Sequence, residues 1–311
     1  MLHLLTRFSA PQPNEANIIA SVLTILGAPL LAAFARRGVF RHLIHSIYNR
    51  KPMTLDRIAE LLQPFLTAPV THSPCHSEPG RRRGEEPAFP ASCENARTHA
   101  ELSLSQLQYI STYIDLLLRW NARINLTAIR DPEEIVTRHF GESLFAARCL
   151  FLSAPSTPLT VADIGSGAGF PGLPIKLWSP QIELTLIESN HKKATFLREI
   201  TRALTLTNVN ITIARAESLI EPSQTRLAQP ASATPSFDIV TMRAVERFES
   251  ILATAISLVA PQGRLALLIS AAQLNLAQHH PIVSSTNLSW QDAVPMPSSG
   301  ARIVAIAQRA A

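Results

Sequence analysis

The sequence predicts an α/β fold, a doubly wound and mostly parallel sheet with an N-terminal helical cap and an extra N-terminal extension. Three observations carry that expectation. From Leu159 onward, apolar runs of strand length alternate with segments of helical period, the order that builds parallel strands joined by helices. Four of the 11 glycines, Gly165, Gly167, Gly169 and Gly172, fall just after the first of these strands, where the chain must turn sharply into a helix. Glu188 closes the second strand, at the carboxyl edge where such sheets bind ligands.

Residues 1–100 read as an extension, partly helical and then a linker. The stretch 16–35 carries no charge and is long enough to span a bilayer. Asn17, Ser21, Thr24, Gly27 and Pro29 dilute it, however, and Arg36 and Arg37 follow it, the reverse of a signal peptide. A buried or poorly ordered helix is therefore expected there, with no stable membrane association. From about Pro64 to Ala100 the composition turns to Pro, Ser, His and charge without apolar period, as in a linker. His72, Cys75 and His76 lack a second pair at finger-like spacing, so no metal is expected. Arg81, Arg82 and Arg83 are answered by Glu85 and Glu86 and read as a solvated run.

A packed region, 101–311, follows, divided into a helical cap (101–157) and a sheet core (158–311). Ser103 or Ser105 is placed to cap a helix carrying Leu107, Ile110, Tyr113, Ile114, Leu117 and Leu118 at helical spacing. A second helix is expected from Pro132 to Leu152, with Pro132 in its first turn. Strands are expected at 159–164, 183–187, 209–213, 237–241 and 264–269, and helices at 192–204 and 245–259. A final strand, Arg302 to Gln308, follows a strand-like Leu288 to Val294, and an antiparallel pairing is expected.

Charge and cysteine content narrow the function. The formal net charge is +5, but residues 1–100 hold 11 Lys and Arg against 7 Asp and Glu, whereas residues 101–311 hold 17 against 16. An RNA-binding reading of the core must therefore rest on a local patch. Three cysteines without C-x-x-C spacing exclude a disulfide framework and favour a reducing compartment, the cytoplasm.

The glycine segment reads Asp163-Ile-Gly165-Ser-Gly167-Ala-Gly169-Phe170-Pro171-Gly172. Dinucleotide loops usually read G-x-G-x-x-G, because a pyrophosphate needs bare backbone at a helix N-terminus. Here the spacing is G-x-G-x-G and Pro171 and Pro174 follow, removing amide donors. Glu188 suits the two hydroxyls of an adenosine ribose, in NAD and S-adenosyl-L-methionine alike. The spacing and the prolines favour S-adenosyl-L-methionine over NAD.

In these motifs the chain from about 101 to 311 resembles the 16S rRNA guanine-N7 methyltransferase G family, also called glucose-inhibited division protein B. The resemblance rests on Trp120-Asn121 with Asn125-Leu126-Thr127, Arg130-Asp131-Pro132, Arg138-His139 with Glu142-Ser143, the glycine loop through Pro174, Lys192-Lys193 with Phe196-Leu197-Arg198, Arg215-Ala216-Glu217, and Arg243-Ala244. It implies a Rossmann-like class I methyltransferase fold and methyl transfer to guanine N7 in 16S rRNA, free or within the small ribosomal subunit, by a monomer. By the same resemblance Gly165, Gly167, Gly169 and Phe170 would line the cofactor, Glu188 its ribose, and Ala216 and Glu217 the adenine edge. Arg243 would stand at the catalytic junction of cofactor and substrate, and Lys192, Lys193, Arg198 and Arg215 would meet rRNA. The chain departs from the family at Glu142, where aspartate is usual, and at Ile269-Ser270, where Lys-Gly is usual.

The residues themselves agree. The fourth strand ends Thr241-Met242-Arg243-Ala244, without the Asn/Asp-Pro-Pro-aromatic motif of amino-group methyltransferases, and no cysteine lies between 150 and 311 to form a pyrimidine adduct. Guanine N7 attacks through a free lone pair and loses no proton, so alignment suffices and no general base is needed. Plainer roles stand beside these: Arg243 paired with a carboxylate such as Glu246, His139 structural, Trp120 and Phe196 in the core, Phe170 open to stacking on a base. A nucleotide-dependent oxidoreductase and a non-catalytic rRNA-binding module are the rival functions; NAD against S-adenosylmethionine binding separates the first.

Overall fold

The computed structural model describes residues 53–70, 101–151, 155, 157–220, 235–245 and 247–311. The chain divides into two compact units, Met1–Pro52 and Met53–Ala311, and every described residue belongs to the second. The uncharged stretch 16–35, the cluster His72, Cys75 and His76, and Glu246 lie outside the described residues.

Strands β1 (Thr160–Ile164), β2 (Glu183–Ile187), β3 (Val209–Thr212), β4 (Phe237–Arg243), β5 (Val259–Ser270), β6 (Leu288–Trp290), β7 (Val294–Pro295) and β8 (Arg302–Arg309) form one sheet. Its order is β3-β2-β1-β4-β5-β8-β6, with β7 also on β8. The first five strands pair in parallel, and β8 runs antiparallel to β5, β6 and β7, as the Rossmann-like expectation requires. The reversal of strand order between β1 and β4 opens a crevice above their carboxyl ends. The last strand-like run is broken into β6 and β7, separated by Gln291, Asp292 and Ala293.

Two apolar layers sandwich the sheet. The helices Leu104–Ile124, Glu142–Leu150, Gly172–Trp178 and His191–Ala203 pack on one face around Tyr113, Phe140, Leu144 and Phe196. Phe248–Ser257 and Ala271–Gln278 cover the other with Leu252, Ile256 and Ala277. Ser103 is the cap that forms: it accepts from the Gln106 amide while the Gln106 side chain accepts from the Ser103 amide, a reciprocal pairing that satisfies two orphan donors. The expected Pro132–Leu152 helix ends at Leu150 and is not uniform. Pro132–Glu134 is capped by Asp131, Ile135–Gly141 widens into a π-helix, and Glu142–Leu150 resumes the α form. Such widenings recur at functional sites.

The packed unit begins before the expected boundary at residue 101. Helix Leu55–Thr67, with Pro64 inside it, lies across the cap. Ile58, Leu62, Phe65 and Leu66 are buried, on one helical stripe. A Cβ at Gly141 would fall 2.5 Å from the Phe65 ring, so glycine there is what lets the two helices approach. Arg148 donates to the Phe65 and Ala68 carbonyls at 2.7 and 3.0 Å, closing the helix C-terminus. Composition misplaced this boundary because it reads the Pro, Ser and His content of the following segment and not the four-residue apolar stripe before it.

Candidate functional site

β1 delivers the chain to the carboxyl edge, where Gly165, Gly167 and Gly169 take φ of +68°, +57° and +90°, conformations that cost other L residues about 1 kcal/mol or more. The Gly165 and Ser166 amides donate to the Ile187 carbonyl at 2.9 and 3.2 Å, tying the loop to the end of β2. Beneath it, the Asp163 carboxylate is fully buried. It accepts from Thr241 Oγ1 at 2.8 Å and from the Gly172 amide at 3.3 Å, and burial pushes its pKa up to about 6. Asp163 thus joins β1, β4 and the helix that follows the loop.

Glu188 follows β2. One carboxylate oxygen accepts from the Gly167 amide at 2.9 Å and the other from the Asn190 amide at 2.7 Å, which orients the group across the crevice. A cleft of about 250 Å³ opens there, lined by Ile164, Gly165, Ile187, Glu188, Ser189, Ala214, Arg215, Ala216, Glu217, Val245, Arg247 and Ile251. A carboxylate, apolar walls from strand ends and a short 3-10 turn (Ala216–Leu219) suit an adenosine: hydroxyls toward Glu188 and a flat base between aliphatic side chains. The helix that follows the loop, Gly172–Trp178, has seven residues and starts behind Pro171, whose ring nitrogen offers no amide donor, and the lining residues fit S-adenosylmethionine.

Of the residues singled out in the sequence, Gly165, Glu188, Arg215, Ala216 and Glu217 meet in this cleft. Gly167 touches it through Glu188, and Gly169 supports the loop from below, packed by Tyr113 and Leu173. Phe170 is not open for base stacking. It is 7% exposed, stacked between Tyr113 and His139 at ring separations of 5.3 and 4.7 Å and edge-on to Phe140 at 5.1 Å. Lys192 and Arg198 are exposed and Lys193 is half-buried on the helix after Glu188, whose N-terminus Asn190 caps. Trp120 and Phe196 pack on each other in the core layer. Ile164 and Ile187 were legible as final residues of strands. Val245, Arg247 and Ile251 were not, since no local period marks a residue that reaches the cleft from beyond the fourth strand.

Arg243 stands at the end of β4 and is 9% exposed. Its carboxylate partner among the described residues is Glu142 of the cap, 3.1 Å from Nη2. The same nitrogen donates to the Arg138 carbonyl at 2.7 Å and to His139 Nδ1 at 3.2 Å. His139 is held neutral, with its pKa lowered to about 3 by burial and by Arg243 and Arg138, so Nδ1 is free to accept. Nε2 then donates to Thr127 Oγ1 at 2.8 Å, and Thr127 is itself fixed by both ends of the Asn121 amide, at 2.9 and 3.0 Å. Ser270, at the end of β5, caps the next helix through a reciprocal pairing with Gln273 and lies opposite Arg302 in the β5/β8 register.

A family model described as rRNA small subunit methyltransferase G matches residues 106–295. Ribosomal RNA small subunit methyltransferase G of Xanthomonas campestris pv. campestris (strain B100) is 42% identical over 153 residues, 49% of this chain and 64% of that protein. The protein of the same name from Roseiflexus castenholzii (strain DSM 13941 / HLO8) is 42% identical over 163 residues, 52% of this chain and 64% of that one. The chain therefore spans just under two thirds of the length of these curated relatives. Among solved structures, a ribosomal protein L11 methylase from Lactobacillus delbrueckii subsp. bulgaricus overlaps with a TM-score of 0.43 at 14% identity, covering 56% of this chain and 79% of that one.

Proposed function

Since this chain belongs to the rRNA small subunit methyltransferase G family, we propose that it transfers a methyl group from S-adenosyl-L-methionine to N7 of a guanine in 16S rRNA. The observation that carries the reading is the convergence of Gly165, Glu188, Ala216 and Glu217 on one cleft at the carboxyl edge, with Arg243 clamped at the end of the adjoining strand. S-adenosylmethionine supplies an electrophilic sulfonium methyl. Glu188 would hold the ribose hydroxyls, and Ala216 and Glu217 would frame the adenine edge. The glycine loop would admit the methionine part, with Phe170 supporting it from the aromatic cluster instead of touching a base. Arg243 would stand at the junction of cofactor and guanine.

Because N7 carries its own lone pair, the protein has only to align it with the methyl and exclude water. No side chain has to take a proton. Lys192 and Lys193 open the helix that follows Glu188, Arg198 lies two turns further along it and Arg215 lines the cleft; these four would meet rRNA phosphates. Two measurements test this reading on the full chain. Titration calorimetry should give binding of S-adenosylmethionine and none of NAD. Labelled methyl should pass from S-adenosylmethionine to 16S rRNA taken from a strain deleted for this gene. Binding of NAD alone, or cofactor binding with no label in RNA, would overturn it.

A further inference from the structure

We infer that three arginines gathered on Glu142, Arg138, Arg243 and Arg302, form an anion site for a backbone phosphate of the substrate RNA, on the half of the sheet away from the cofactor cleft. Glu142 is 1% exposed. Its Oε2 meets Arg302 Nη1 at 2.6 Å and Arg243 Nη2 at 3.1 Å, while Oε1 faces Arg138 Nε at 3.6 Å. Glu134 is a second carboxylate on Arg138, at 3.3 Å. Glu142 thus serves three guanidinium groups at once, and the buried Asp163 carboxylate also acts on Arg243.

The donors are in excess. Each guanidinium carries five N–H groups in a fixed fork, and two of the three depend on a single carboxylate oxygen. Arg243 Nη1 is buried with no hydrogen-bond partner among the described residues, an arrangement that is unfavourable until an acceptor arrives. The side chains of Arg138 and Arg302 are 45% and 27% exposed, so the outer heads of the cluster face solvent while Arg243 lies below. A tetrahedral oxyanion, with several acceptors and a negative charge, matches this set.

Position separates this anion from the cofactor carboxylate. The cofactor cleft draws on β1, β2, the turn after β3 and the residues that follow β4. Arg302 begins β8, beyond β5 in the sheet order β1-β4-β5-β8, two strand spacings or roughly 10 Å from β4. A phosphate seated there would lie on the substrate side of Arg243. This inference rests on the proposed RNA substrate, and it adds Arg302, which lies past the end of the family match at residue 295.

The test is Arg302→Gln in the full chain, with binding to unmethylated 16S rRNA measured across a salt series. Losing one phosphate contact should weaken RNA binding about 5- to 10-fold at 0.1 M salt and lower the log–log salt slope by about 0.7–0.9. Affinity for S-adenosylmethionine should stay unchanged, and Arg302→Lys should recover part of the RNA affinity. If Arg302→Gln does not fold, Arg138→Gln, on a more exposed side chain, reads the same slope. Unchanged RNA affinity and slope in a folded variant would overturn the site, as would loss of cofactor affinity without loss of RNA affinity. A wild-type chain that binds RNA through Arg302 yet transfers no methyl would overturn the proposed enzyme and leave the anion site standing.

Discussion

Arg243 at the end of β4 and Glu142 at the start of a cap helix form a buried ion pair, 3.1 Å between Nη2 and Oε2. The pair fastens the helical cap to the carboxyl edge of the sheet at the point where cofactor and substrate would meet. Arg243 is therefore both a candidate junction residue and a structural one.

Arg243→Met keeps much of the stem volume and removes the charge and five donors. Methyl transfer should fall 10-fold or more, at least about 1.4 kcal/mol in the barrier. Stability should fall on the order of 2 kcal/mol as well, because the Arg138 carbonyl and His139 Nδ1 lose their donor and Glu142 keeps Arg302 and Arg138 only. Single-turnover rates per folded molecule, taken below the melting transition, separate the two effects. Normal turnover would leave Arg243 with the structural role alone.

Two loop glycines should respond differently. A Cβ at Gly169 would sit 2.6 Å from Leu173 Cδ1 and against the Tyr113 hydroxyl, at φ +90°, whereas the nearest atom to a Cβ at Gly167, at φ +57°, is the Gly165 carbonyl oxygen at 3.7 Å. Gly167→Ala should cost about 1 kcal/mol of stability from backbone strain alone. Gly169→Ala should cost several-fold more, on the order of 3 kcal/mol, by overpacking as well. Gly167→Val should also abolish binding of S-adenosylmethionine, since a branched side chain would obstruct the backbone face of the loop. Denaturant titration and calorimetry on the same variants check both statements.

Truncation should track the helix before the linker. A chain starting near residue 98, which composition alone presents as a complete folding unit, loses Ile58, Leu62, Phe65 and Leu66 from the core. At about 1.5–3 kcal/mol per buried side chain, before the entropy of ordering is subtracted, that loss is comparable to the whole stability of a domain. It should be insoluble or melt at least about 10 °C lower, whereas a chain starting at Met53 should melt as the full chain does. Equal melting of the two truncations would show the helix to be dispensable.

Asp163 should give the fold a distinctive acid profile. Burial raises its folded pKa to about 6, above the ordinary aspartate value of 3.8. The folded state therefore holds this proton more tightly, and the contribution is fully present below about pH 4 and lost as pH rises through 6. Asp163→Asn, with its amide nitrogen toward Thr241 Oγ1, should remove that slope. The stability difference between variant and wild type should shift by on the order of 3 kcal/mol in favour of the variant from pH 4 to pH 7. Chemical denaturation at half-unit pH steps reads it directly, and a parallel pair of curves would contradict the assignment.

The parallel sheet was legible because each strand is a short apolar run bounded by turn residues, and the glycine loop because it concentrates four of 11 glycines in one turn. Glu188 was legible by its place at a strand end. The clamp on Arg243 was not: Glu142 comes from the cap, far from Arg243 in the chain, and no local pattern links the two. His139 shows the same limit. Its apolar helix suggested a structural residue, which it is, but not that the π-helical turn Ile135–Gly141 would aim it at both Phe170 and Arg243. The Ile269-Ser270 departure gained meaning only from register, which sets Arg302 opposite Ser270.

The most direct test of guanine-N7 transfer is base-specific mapping of 16S rRNA from a strain deleted for this gene. RNA treated with borohydride and aniline breaks at N7-methylguanine, and primer extension reads the break. The deletion strain should lack one such stop, the full chain should restore it, and Arg243→Met should restore it at a tenth of the rate or less. An identical pattern of stops with and without the gene would contradict the assignment of this chain to N7 methylation of 16S rRNA.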